Sequence, residues 1–136
     1  MNPRIVAGAL GAVTLLMGLG GLFSPDRAMA FVGFAPSTEA NRLLALGEAR
    51  AVYGGLFTVL GAFILWGAID PAGKRAALLM SALLWLGLCL GRVLGVMVDG
   101  NPGLLGWGAV LFEGAFGTAL LWSTLARLPR ANAQVQ

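Results

Sequence analysis

AALLMSALLWLGLCLGRVLGVMV, residues 76–98, is an apolar run interrupted by a single charge, Arg92. About 20 predominantly apolar residues cross the roughly 30 Å hydrocarbon core of a bilayer as one helix, and this run is long enough. Three more runs of the same character, 5–23, 48–69 and 104–125, occupy most of the remaining chain. Asp70-Pro71-Ala72-Gly73-Lys74-Arg75 and Asp99-Gly100-Asn101-Pro102-Gly103 are tight polar turns between them. Short links make neighbouring helices antiparallel. The expected fold is an all-α integral membrane protein, a four-helix up-and-down transmembrane bundle forming a single domain over 1–136.

Composition points the same way. Of the 136 residues, 58% are hydrophobic and 11% charged, against roughly 25% charged in a soluble domain. The 21 glycines lie mostly within apolar runs, as in packed membrane helices. The net charge of +3 comes from scattered residues flanking the spans, not from a basic patch with aromatics, so no nucleic-acid partner is expected. With no histidine and one cysteine, Cys89, the chain has no disulfide, no Cys/His metal set and no imidazole for a catalytic triad. No metal or cofactor is expected.

Residues 24–46 are the least membrane-like part and are expected at the outer surface. Ser24-Pro25 starts a short interfacial helix there, with Met29, Phe31 and Phe34 turned to lipid. Ser37 or Thr38 caps the next helix, which enters the membrane near Glu48. The first span, preceded by Arg4 and followed by Ala28-Met29-Ala30, also suits a signal peptide. Its apolar core is longer than such segments carry, and Asp26 and Arg27 intervene, so a retained span is expected. Arg4, Lys74, Arg75, Arg127 and Arg130 fall on one side of the bundle, against Arg27 and Arg42 on the other. By the positive-inside rule both termini are cytoplasmic.

Ionisable side chains inside spans are expensive and must find partners. At 1.5 Å per residue Arg92 lies roughly 10 Å inside the outer end of its helix, and Glu113 roughly 12 to 14 Å inside the same end of the last one. Glu48, Arg50 and Tyr53 enter from that side, and Asp99 closes it. A polar cluster of Glu48, Arg50, Tyr53, Arg92, Asp99 and Glu113 is therefore expected in the outer half. In a structural reading Glu113 locks the last two helices through Arg92, and Arg50 pairs with Glu48 or Asp99. In a functional reading the same groups line a pocket. Gly87, Gly91 and Gly95 form a small-residue face for close helix packing, matched on the first helix by Ala7, Gly11, Thr14, Gly18 and Gly21. Gly54 and Gly55 are further packing positions. Trp66, Trp107 and Trp122 suit interfacial belts, while Trp85 is mid-span.

The stretch EARAVYGG, residues 48–55, with Arg92, Asp99-Gly100, Pro102 and Glu113, resembles the bacterial four-helix membrane family catalogued as domain of unknown function four-three-four-five. That family is allied in layout to DoxX-like proteins. The resemblance covers most of the chain and implies an inner-membrane location without an assigned activity. The leading expectation is a non-catalytic protein that binds a lipid-like or amphipathic small molecule, or a partner subunit or second copy, through the polar cluster. An enzyme or accessory redox subunit acting on a quinone or isoprenoid, with catalytic residues unassigned, and a small transporter are the alternatives.

Overall fold

The computed structural model describes residues 2–34 and 39–125. The cap expected at Ser37 or Thr38 and the basic residues Arg127 and Arg130 lie outside them. Asn2 starts helix α1 (Pro3–Phe23), its side chain accepting from the Arg4 amide at 3.0 Å. Pro3 sits in the first turn, where its missing N–H costs no helical bond. Ser24 ends α1 by donating its amide to the Gly20 carbonyl, and Pro25 opens α2 (Pro25–Phe31). Gly33, at φ 75°, takes the left-handed conformation that glycine adopts without steric cost and turns the chain out of α2. Phe31 and Phe34 are exposed as expected, but Met29 is buried against Ala45 and Ala49. It packs α2 onto the following helix and does not face lipid.

That helix is one long rod with a change of winding. It runs through α3 (Glu39–Glu48), a π-helical segment (Ala49–Leu56) and α4 (Phe57–Ile69). The Asp70–Lys74 turn, closed by the Gly73 amide on Asp70 Oδ1 at 3.1 Å, leads into α5 (Arg75–Asp99). Gly100 and Gly103, both at positive φ, then reverse the chain into α6 (Gly103–Leu125). Asn101 braces this turn by accepting from the Gly103 amide and from Trp107 Nε1. Among the described residues four helical stretches, Pro3–Phe23, Asn41–Ile69, Arg75–Asp99 and Gly103–Leu125, are long and apolar enough to cross a membrane. Their outward faces carry large apolar side chains such as Leu104, Phe23 and Met97, exposed at 91%, 81% and 76%. A surface so apolar calls for lipid.

The bundle is two tight pairs, α1 on α4 and α5 on α6, joined through α1 against α6 and α4 against α5. In lipid there is little hydrophobic drive between helices, so dispersion at close backbone approach has to hold them. Glycines provide that approach between α1 and the rod formed by the π-helical segment and α4. A Cβ on Gly18 would strike the backbone of Phe57 and Thr58, one on Gly61 the backbone of Leu15, and one on Gly21 that of Tyr53 and Gly54. The buried residues of α1 are Ala7, Gly11, Thr14, Gly18 and Gly21, a single small-residue stripe.

The matching face is not the one expected. Gly87 and Gly91 are exposed with open space where a Cβ would be, and Gly95 meets only the Asp99 carboxylate of its own helix. The reason is Trp85, which is buried to 1% exposure among Phe57, Phe112 and Phe116, at ring-centre distances of 5.3, 5.7 and 5.0 Å. Together with Leu78 and Ala82 it turns the 78–82–85 face inward. At 3.6 residues per turn, Gly87 and Gly91 then fall about 160° and 120° away from Trp85, while Arg92 falls within about 20° of it. Gly54 does pack, against Leu22, whereas Gly55 meets only the Arg50 carbonyl of its own helix.

Trp66, Trp107 and Trp122 are each partly exposed, and Lys74 lies 5.1 Å over the Trp66 ring. Buried hydroxyls are mostly satisfied by their own helices: Thr14 donates to the Leu10 carbonyl, Ser81 to Ala77 and Ser123 to Leu120. On the surface segment Arg42 pairs with Asp26 at 2.9 Å and ties α3 to α2. Both side chains are about half exposed, so this pair contributes under about 1 kcal/mol.

Candidate functional site

The inward turn of Trp85 carries Arg92, two turns further along α5, toward α6. There Arg92 Nε donates to Glu113 Oε1 at 2.8 Å. Glu113 is 5% exposed, and its second oxygen, Oε2, has no partner among the described residues. The Arg92 side chain is 37% exposed. Glu113 engages Nε and Tyr53 is within hydrogen-bonding reach of the guanidinium, so part of this five-donor group remains for other acceptors. Tyr53, from the π-helical segment, faces the same guanidinium.

Two recesses meet at this arginine, which is the one residue lining both. The first, about 310 Å³, opens between the C-terminal end of α5 and the N-terminal end of α6, lined among others by Gly95, Asp99, Asn101, Gly106 and Val110. The second, about 320 Å³, lies between α5 and the segment formed by α2, α3 and the π turns. Its walls are chiefly Met29, Val32, Phe34 and Val52, with Glu48 and Tyr53 as polar groups. The gap exists because the π-helical segment packs on α1 and α2 and leaves α5 to α6.

Of the expected cluster, Glu113, Arg92 and Tyr53 come together, Glu48 borders the second recess and Asp99 the first. Arg50 does not join them. It is exposed, borders neither recess and makes no ion pair with Glu48 or Asp99. The cause is the winding: an i→i+5 helix needs more than four residues per turn, so the three residues from Arg50 to Tyr53 no longer bring both to one face. Gly54-Gly55 is the only local hint of that winding, and it does not distinguish a π turn from an α-helical packing site.

Sequence reasoning also missed the wall supplied by α2 and α3. A usable signal was present in Ala45 and Ala49, small residues one turn apart and in register with Tyr53, which let Met29 settle against the helix. The interior holds two further orphaned polar atoms, Thr58 Oγ1 and Trp85 Nε1. Among the described residues no three His, Cys, Asp or Glu side chains converge as a metal site would need.

The arrangement is suited to recognition: a half-committed guanidinium between two open recesses presents paired N–H donors that match a carboxylate or phosphate. Residues 3–124 match a family model described as a domain of unknown function (DUF4345). No curated protein and no solved structure matches the chain.

Proposed function

We propose that this chain, which belongs to the DUF4345 family of unknown function, is a multi-pass membrane protein that holds an amphipathic molecule by an acidic head group at Arg92. The observation carrying this reading is that Arg92 alone lines both recesses while Glu113 occupies only its Nε. An acidic head accepts from the terminal amino groups, and its chain runs along Met29, Phe34 and Val52. Glu113 holds the guanidinium in place and Tyr53 limits its swing.

The test is native mass spectrometry of protein extracted in mild detergent. Arg92→Gln is combined with Glu113→Gln so that no buried charge is stranded. The parent is expected to carry a bound amphipath with a carboxylate or phosphate in its head group, which the double variant loses by tenfold or more, at unchanged monodispersity. Equal lipid complements in the two proteins would overturn the proposal.

We place the site in the outer half of a bacterial inner-membrane protein with both termini cytoplasmic, on the bias of basic residues at the other end. Reporters fused after residue 136 and within the Asp70–Lys74 turn are expected to read cytoplasm, and one at residue 37 the exterior. An exterior reading after residue 136 would invert the site.

A further inference from the structure

The first recess contains an unused carboxylate. Arg92, Gly95 and Asp99 follow one another at i, i+3 and i+7 along one face of α5, so the cation and the anion are about 10 Å apart along the axis. The Asp99 carboxylate bends back over Gly95, lying 3.8 Å from where a Cβ would stand. Two opposite charges thus point into one recess of about 310 Å³, and the residue between them has no side chain to fill the gap. They do not pair with each other, because Glu113 draws the guanidinium toward α6. Asp99 has no hydrogen bond or ion pair among the described residues.

A purely anionic head group on Arg92 would sit beside this carboxylate and be repelled by it. A head group that also carries an ammonium turns the same carboxylate into a second point of attachment. We propose that the recess recognises a zwitterion of the phosphoethanolamine type, its phosphate on Arg92 and its ammonium on Asp99. This rests on the reading that Arg92 holds an acidic head group, and adds the class of that head.

The experiment uses the full chain in detergent with two phospholipids of identical acyl chains, phosphatidylethanolamine and phosphatidylglycerol, and measures retention by native mass spectrometry. Phosphatidylethanolamine is expected to bind at least tenfold more tightly. Asp99→Asn, a change at an exposed position, is expected to bring it within about twofold of phosphatidylglycerol while phosphatidylglycerol itself binds no worse. Gly95→Leu, whose Cβ meets nothing nearer than the Asp99 carboxylate at 3.8 Å and whose side chain extends into the recess, is expected to remove the preference too, at unchanged thermal stability.

Equal binding of the two lipids in the parent, both lost in Arg92→Gln/Glu113→Gln, would overturn the zwitterion and leave the Arg92 reading standing. Retention of both lipids by that double variant would overturn both. Where the preference for phosphatidylethanolamine and its loss in Asp99→Asn support the zwitterion, displacement by free O-phosphoethanolamine would assign the site to the head group alone, and failure to displace it would assign the intact lipid.

Discussion

Gly18→Leu is expected to yield no monodisperse protein after detergent extraction, while Gly91→Leu behaves as the parent. A side chain at residue 18 meets backbone atoms of Phe57 and Thr58, which cannot rotate aside. Overpacking that neighbouring side chains absorb typically costs about 1 to 3 kcal/mol. Here α1 has to separate from α4, and the contacts of Gly11, Gly21 and Gly61 along the same seam are lost with it. Gly91 stands on an exposed face with nothing within 4 Å of an added Cβ, and leucine there favours the helix. Size-exclusion profiles and thermal midpoints of the two variants make the comparison. If both collapse, or neither does, the seam between α1 and α4 is wrongly placed.

The second large effect lies at Arg92 and Glu113. Removing one partner of a buried ion pair typically costs about 3 to 5 kcal/mol, whereas removing both is often close to neutral. The two single losses are not expected to be equal. Arg92→Leu strands a carboxylate that is 5% exposed and falls in the upper part of that range. Glu113→Leu strands a guanidinium that is 37% exposed and able to reach water or a lipid phosphate, so solvent screening reduces its loss. Denaturant or thermal unfolding in one detergent should rank Arg92→Leu as most damaging, then Glu113→Leu, with the double variant nearest the parent. Simple addition of the two single losses would show that they have separate partners.

Much of the architecture was legible without coordinates. Hydropathy and turn chemistry locate four spans, because a bilayer imposes a length on any helix that crosses it and polar turns cannot remain inside. The depth of Arg92 and Glu113 follows from counting residues at a fixed rise, and two charges at one depth have reason to pair. The stripe on α1 was legible too, since its small residues recur on one face with bulkier neighbours on either side.

The glycines of α5 show where such counting stops. Gly87, Gly91 and Gly95 repeat as regularly as the α1 stripe, yet Gly87 and Gly91 face outward and Gly95 borders a recess instead of a packed helix, because the inward face of α5 is the one that carries Trp85. Arg50 fails for a different reason: a spacing of three implies a shared face only while the winding is α-helical.

By itself, the sequence determined the all-helical class and the presence of four stretches long and apolar enough to cross a membrane among the described residues, both of which depend on local hydropathy and a constant helical rise. Only the tertiary structure decided which face of each helix is buried, where the rod from α3 to α4 changes its winding, and that α5 stands apart from the π-helical segment. Those outcomes depend on how bulky and small surfaces of different helices fit together, and that fit is a property of pairs of segments far apart in the chain.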